Sequence, residues 1–384
     1  MKIICATNMP YAEQAFHTLG DVTVLAPRAI TADRVRDADL LAIRSTTRVD
    51  RALLEGSRIR FVGTATIGFD HLDTDYLAKA GITWCVAPGC NANSVAEYLV
   101  AALLCLGRRQ GWKRAGKTIG VIGVGHIGSL VVQKVKALGM TVLQNDPPLH
   151  AATGNAIFRS LDEVLAKSDI VTLHVPLVKT GPYPTVHMAD HRFFERLRPG
   201  AVFINAARGG VMDSDALLAA MDRGIVAHTV LDTWEGEPAF RPDVLAKTDL
   251  GTPHIAGHSF EGKVMGTVMV YREACRFLGV QPTWTPEALL PSPLVPEIRL
   301  EIGNRPMEAM LADIMRRVYD IEADDRRLRN ITVADPRRCA EGFERLRKEY
   351  PIRREFRFTR VVLSSSCPVL EAKLSGLGFD VASI

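Results

Sequence analysis

Residues 118–146 read "TIGVIGVGHIGSLVVQKVKALGMTVLQND", and the fold class follows from them. The stretch opens on an apolar run of the kind a strand buried on both faces shows. Gly123-x-Gly125-x-x-Gly128 follows at once, and apolar residues then recur at helical spacing as far as Gly139. A second apolar run, "MTVLQND", closes the segment at Asp146. Three glycines at this spacing are weak evidence alone; a strand before, a helix after and a second strand beyond make the pattern specific. Gly123 permits the tight turn, Gly125 lets the backbone approach a pyrophosphate, and Gly128 lets helix and strand pack closely. The helix start adds free N–H groups and a positive dipole end, so His126 and Ile127 count with the glycines as cofactor-binding. Asp146 stands where a carboxylate accepts bonds from the adenosine ribose hydroxyls and repels a 2′-phosphate. No arginine in "NDPPLH" offsets that repulsion. The expected cofactor is therefore NAD rather than NADP.

The same rhythm extends both ways. Upstream, "KIICAT", "VTVLA", "LLAIRS", "RFVGTA" and "ITWCVA" alternate with helical stretches. Downstream, "DIVTLHVP", "AVFINAA", "VAHTVLD" and "LGTPHIA" (250–256) continue the series. Strands and helices in alternation predict parallel α/β sheets. From about 280 the texture changes: "VQPTWTPEALLPSPLVPEI" is proline-rich and reads as a linker or surface arm. Beyond it the chain is arginine-rich with helical spacing, and a small α/β unit is expected.

Bulk properties exclude several roles. A chain of 384 residues is too long for one core. A net charge of +4 is small for that size and argues against a general nucleic-acid or membrane partner. The run "VAEYLVAALLCL" is too short to span a bilayer. Seven scattered cysteines without a C-x-x-C pair read as reduced thiols in a cytoplasmic protein, with neither a disulfide frame nor a metal site.

In doubly wound sheets ligands sit beyond the carboxyl ends of the strands. Arg208 after "AVFINAA", Glu237 in "LDTWEGEP" and His254 in "TPHIAG" all fall at such places. Singly, each has an ordinary alternative: a capping arginine, a turn glutamate, a core histidine. Together they suit oxidation of an alcohol beside a carboxylate, with His254 taking the hydroxyl proton, Glu237 supporting it and Arg208 anchoring the acid. Asp232 is a further candidate near the nicotinamide end.

"PGCNANSVAEY", "GVIGVGHIG", "LRPGAVFINAARGGVMDSDAL", "VLDTWEGEP" and "TPHIAG" resemble successive blocks of the D-isomer-specific 2-hydroxyacid dehydrogenases. The resemblance implies that Arg208, Glu237 and His254 are the catalytic set, and that Val175 and Gly257 join the cofactor contacts. It implies a Rossmann-type doubly wound domain (94–256) inserted into a flavodoxin-like α/β substrate domain (1–93 and 257–280). "LLAIRSTTRVD", "GTATIGFDHLD" and "LRKEYPIRREF" resemble a branch of that family acting on a phosphorylated hydroxy acid. In that branch the C-terminal region, here 281–384, is an α/β dimerisation domain, so a homodimer is expected. Ser45, Thr66 and His258 are then substrate-binding by resemblance, and Arg44 is a candidate phosphate partner. Arg345, Arg347, Arg353 and Arg354 are expected either to reach the phosphate, across a dimer, or to lie on a solvated helix face. The chain departs from the branch's pattern at Val175, usually threonine, and at His258, usually tyrosine. Two rivals stay open: another member of the family, such as a phosphoglycerate dehydrogenase, and an NAD-sensing interaction protein.

Overall fold

The computed structural model describes residues 1–111, 115–331 and 335–384. The chain divides into two compact units, Met1–Ala92 with Ser259–Ser292, and Asn93–His258 with Pro293–Ile384.

In the first unit, β1 (Lys2–Ala6), β2 (Asp21–Leu25), β3 (Leu40–Ile43), β4 (Phe61–Thr64) and β5 (Thr83–Cys85) form one parallel sheet. Its order, β2-β1-β3-β4-β5, is the flavodoxin-like one expected. Every residue of β3 and β4 is buried, which is why both read as unbroken apolar runs. The helix Phe260–Leu278 returns to this sheet. Ser259 caps it, accepting from the Gly262 N–H at 2.9 Å, and Gly279 ends it at φ 70°. Its approach to β4 depends on Gly63, where a Cβ would lie 2.2 Å from Val270 Cγ1.

The second unit holds β6 (Thr118–Ile122), β7 (Thr141–Asn145), β8 (Ile170–Leu173), β9 (Ala201–Asn205), β10 (Val226–Leu231) and β11 (Leu250–Gly251). All are parallel, in the order β11-β10-β9-β8-β6-β7. A single bridge, Gln144 to Phe158, marks the remnant of a further strand outside β7. With it the sheet has the doubly wound order, and its winding reverses between β6 and β8. The strand expected over 250–256 shrinks to two residues, because the backbone turns at Thr252–Pro253 and His254 adopts φ 55°.

A third, smaller parallel sheet joins β12 (Glu297–Leu300), β13 (Arg360–Leu363) and β14 (Asp380–Ser383). The strand β12 was hidden by its prolines; it begins directly after Pro296 and alternates exposed Glu297 and Arg299 with buried Ile298 and Leu300. This sheet has no core of its own. Ile298, Leu300, Phe356, Leu370 and Leu374 share one apolar cluster with Leu99, Leu103, Val131 and Val135. A buried polar knot reinforces the junction. Glu97 Oε1 accepts from Asn93 Nδ2 at 3.0 Å and from the Phe356 N–H at 3.1 Å. Lys134 Nζ donates to the Leu377 carbonyl at 2.6 Å and lies 4.0 Å from Glu97. Burial and the nearby Glu355 push the Glu97 carboxyl up to about 8. Among the described residues no helix is long and apolar enough to cross a membrane.

Candidate active site

The glycine turn sits at the carboxyl end of β6, at the point of reversal. Gly123 has φ 86°, and a Cβ there would lie 2.8 Å from the carbonyl carbon and oxygen of His174 and 2.9 Å from Val175 Cγ1. Gly128 approaches even more closely; its Cβ would stand 2.0 Å from the Gly123 oxygen. Gly125, by contrast, faces open space and precedes the helix His126–Ala137 without a side-chain cap. The helix N–H groups thus start uncapped beside open space, and these residues fit a dinucleotide pyrophosphate. His126 is exposed, Ile127 half-buried. Val175, at the threonine position of the related branch, packs against the Gly123 turn.

Asp146 is tied down before any ligand arrives. Oδ2 accepts from the Val124 N–H at 2.8 Å and Oδ1 from the Leu149 N–H at 3.0 Å. A carboxylate offers about four acceptor positions, so these two bonds orient it and leave capacity for ribose hydroxyls.

The three candidate catalytic residues arise from successive strand ends. His254 Nδ1 and Glu237 Oε1 are 2.5 Å apart, with side chains 28% and 24% exposed. Glu237 Oε2 accepts from the Trp234 N–H at 3.0 Å. Burial pushes the Glu237 carboxyl up, but the His254 hydrogen bond and charge, the Trp234 N–H and the Arg347 guanidinium outweigh it and hold the group below the usual range. A carboxylate on Nδ1 fixes the tautomer with Nε2 unprotonated, the nitrogen able to take a proton. Arg208 follows β9, half-buried, and its Nη1 donates to the Ala207 carbonyl at 2.8 Å. No carboxylate lies within ion-pair distance of it among the described residues. Gly209 brings its turn against the glutamate's loop, since a Cβ there would lie 1.9 Å from the Trp234 oxygen.

Asp232 proves to be the hub of the histidine loop. Its carbonyl accepts from the His254 N–H at 2.7 Å. Oδ1 accepts from Thr252 Oγ1 at 2.6 Å and the Ile255 N–H at 2.8 Å, and Oδ2 from the Ala256 N–H at 2.9 Å. It is 1% exposed, and burial raises its carboxyl despite the His254 charge and these bonds. Gly257 follows this loop half-buried, and His258 sets its ring edge against Tyr350 at 5.8 Å. Sequence reasoning offered Asp232 as a cofactor contact and missed this scaffolding; the run of three loop residues behind one buried acid was the available signal.

Arg44, Ser45 and Thr66 lie in the other unit, just past the carboxyl ends of β3 and β4. Arg44 is half-buried and Ser45 exposed. Thr66 Oγ1 donates to the Gly68 carbonyl and sits 2.8 Å from Thr64 Oγ1, so its hydroxyl is fixed. Among the described residues no cluster of three His, Cys, Asp or Glu could hold a metal ion.

A protein from Edwardsiella ictaluri (strain 93-146), named erythronate-4-phosphate dehydrogenase, is 45% identical over 381 residues, 99% of each chain. Another of that name from Chromohalobacter salexigens is 44% identical over 385 residues, again 99% of each. The chain belongs to the erythronate-4-phosphate dehydrogenase family. Residues 106–256 match the D-isomer specific 2-hydroxyacid dehydrogenase, NAD binding domain, and 289–378 match a domain of unknown function. NAD is therefore the cofactor and the chain is an NAD-dependent oxidoreductase. Among solved structures, D-2-hydroxyisocaproate dehydrogenase aligns with TM-score 0.62 at 23% identity, covering 74% of this chain and 99% of its own. D-lactate dehydrogenase from Aquifex aeolicus aligns with TM-score 0.56 at 25% identity, covering 72% and 95%. The two kinds of relative differ in reach, since the family's sequences match the whole chain and these structures about three quarters of it.

In this member of the erythronate-4-phosphate dehydrogenase family, Arg353 is 8% exposed. It donates to the Ala256 and Ser94 carbonyls and lies over the Tyr319 ring at 4.4 Å. Arg354 lies over Phe358 at 4.3 Å and is 6% exposed. Both are therefore packed inside the fold rather than spread on a solvated helix face. The Arg347 guanidinium helps hold the Glu237 carboxyl below its usual range.

Proposed function

We propose that the protein oxidises 4-phospho-D-erythronate to 2-oxo-3-hydroxy-4-phosphobutanoate with NAD, a step toward pyridoxal 5′-phosphate. The observation that carries this reading is the match over 99% of the chain to enzymes named for that substrate. The site chemistry agrees with it. NAD, when bound, supplies the hydride acceptor. Arg208, with no carboxylate within ion-pair distance among the described residues, holds the substrate carboxylate with its planar fork and polarises the neighbouring hydroxyl. His254 Nε2 takes the hydroxyl proton as the C–H bond breaks, and Glu237 stabilises the resulting imidazolium through Nδ1. Ser45, Thr66 and His258 contact the substrate in this reading, and Arg44 faces its phosphate. Residues 281–384 serve as a dimerisation domain, the substrate domain comprises 1–93 and 257–280, and the enzyme works in the cytoplasm as a homodimer.

The test is an absorbance trace of NADH formation with 4-phospho-D-erythronate, with and without a 2-oxo acid acceptor, beside a parallel trace with 3-phosphoglycerate. Turnover of the first at a much higher kcat/KM is expected. Turnover of 3-phosphoglycerate alone overturns the substrate assignment, and turnover of neither leaves the interaction-protein reading in its place.

A further inference from the structure

The C-terminal helix Pro336–Lys348 lies where the two loops of the acid–base pair need support. Asp335 caps it, accepting from the Arg337 and Arg338 N–H groups at 2.9 and 3.1 Å. Its buried residues, Cys339, Gly342 and Phe343, share one face. That face meets the loop carrying Glu237. The Phe343 ring centroid is 5.7 Å from Phe240, which lies 4.6 Å from Trp234. Cys339 Sγ donates weakly to the carbonyl of Pro238, the residue after Glu237, at 3.7 Å. Just past the helix's end, Tyr350 reaches the loop carrying His254 through His258. Leu346, Glu349 and Tyr350 share a cavity of about 310 Å³ with Pro253, the residue before His254. Tyr350 also holds the edge of His258, and its hydroxyl is fixed by Asp324 Oδ2 at 2.7 Å.

Arg347 lies one turn after Phe343 on this helix. Its guanidinium is 5.9 Å from the Phe343 ring, Nη1 donates to Glu344 Oε1 at 3.3 Å, and Nε is buried without a hydrogen-bond partner among the described residues. We propose that the helix Pro336–Lys348 is a positioning element for the Glu237–His254 pair, with Arg347 as the residue that sets the pair's working pH. The proposal rests on the catalytic reading of that pair given above.

A hydrogen bond of 2.5 Å between residues on separate loops survives only if both loops are held. The helix braces the first loop through Phe343 and Cys339, and Tyr350, just after it, meets the second. A second effect is electrostatic. Charged and titratable groups around the pair include Asp232 behind His254, Arg347 beyond Glu237, Glu344 partly screening Arg347, Glu235 with His187 on the glutamate's own loop, His258 on the histidine's, and buried Tyr98 reached from Asp232 through Thr252. A fixed cation beyond Glu237 competes for the carboxylate's field and makes the His254 imidazolium less favourable. Removing it makes His254 more basic.

Arg347→Gln is therefore expected to move the acid limb of the kcat/KM profile up by about half a pH unit. Arg347→Lys should keep the limb in place, and NAD affinity should stay within about twofold in both. Phe343→Leu, which keeps the charge and loosens the brace, should lower kcat without moving the limb. An unmoved limb in Arg347→Gln overturns the proposal, as does a rise in KM alone, which would make Arg347 a substrate-binding group. Should Arg347→Gln fail to bind NAD, the limb is read from Arg347→Met. A ring titration of His254 by NMR in the NAD-loaded protein, assigned with His254→Asn, needs no substrate. Failure of the wild type to oxidise 4-phospho-D-erythronate would then remove the substrate assignment, while the titration still decides the role of Arg347.

Discussion

Glu237→Gln tests the acid–base pair most directly, because the substitution keeps shape and removes charge. In the wild type both carboxylate oxygens accept, Oε1 from His254 Nδ1 at 2.5 Å and Oε2 from the Trp234 N–H at 3.0 Å. An amide has one accepting oxygen and one donating nitrogen, so glutamine can serve only one of these two donors. If its oxygen turns to Nδ1, the Trp234 N–H faces another donor, at a cost of about 1–3 kcal/mol. If its oxygen turns to Trp234, the amide N–H faces Nδ1 and drives His254 into the tautomer with Nε2 protonated, which cannot act as base. The lost charge adds to this. Opposite charges 4 Å apart at an effective dielectric of 20 attract by about 4 kcal/mol, and roughly half of that survives at a site about one quarter exposed. Losing that attraction makes the protonated imidazole less favourable. The acid limb of kcat/KM for hydroxy-acid oxidation should therefore move down. The plateau should fall by about two orders of magnitude, a size usual for general base catalysis. NAD affinity, measured by nucleotide fluorescence, should stay within about twofold, since the glycine turn belongs to other strands. A limb that stays put or moves up would refute the assignment of His254 as base and Glu237 as its support.

Asp146→Ala removes the ribose acceptor together with the ties to Val124 and Leu149; the dissociation constant for NAD should rise about tenfold or more and preference over NADP should narrow, measured by parallel titrations with both nucleotides. Asp232→Asn leaves one of the Ile255 and Ala256 N–H groups facing an amide donor, so stability should fall by about 1–3 kcal/mol in urea titrations and turnover should fall with it. The Glu97 carboxyl is raised in the folded chain from 4.5 to about 8 by burial and Glu355, so the folded state binds more protons there than the unfolded state between those values, and its contribution to stability falls as pH rises through them. Lys134, lowered by burial, acts in the opposite sense toward its usual alkaline range. Glu97→Gln should therefore flatten the decline of the urea midpoint between pH 5 and 8 relative to wild type; an equal slope would remove Glu97 as its source.

The fold was legible wherever local pattern and tertiary outcome coincide. Strands buried on both faces, such as β3 and β4, have no choice but apolar runs, and Gly123 and Gly128 are required by clashes that any Cβ would create. Legibility failed where short elements take their form from neighbours. At residues 250–256 the apolar run promised a long strand, but the Asp232 carboxylate draws Thr252, Ile255 and Ala256 around itself and bends the chain after two residues. The four-residue strand β12 draws its pairing from β13, sixty residues away, and nothing in its prolines announces that.

The acid–base pair was legible for a different reason than its support. His254 and Glu237 each follow a strand end, and strand ends are visible as boundaries between apolar runs and glycine or proline. Their hydrogen bond needs only that two such ends be adjacent, which parallel sheet order supplies. What holds the bond at 2.5 Å comes from residues with no boundary to mark them. Gly209 presses against Trp234, and Phe343 braces Phe240 from a helix a hundred residues downstream. Of the clustered arginines Arg345 is exposed, as a solvated face would have it, but Arg353 and Arg354 are buried, because sequence shows a side chain's charge and conceals what its neighbours bury. Placed in the fold, Arg353 spends its guanidinium on the Ala256 carbonyl, two residues from the base itself. The C-terminal segment thus joins the histidine loop at its backbone and the glutamate loop at its aromatic core. A chain cut before that segment would keep every glycine of the cofactor turn and all three candidate catalytic side chains, yet lose the contacts that Phe343 and Arg353 make to two of their loops.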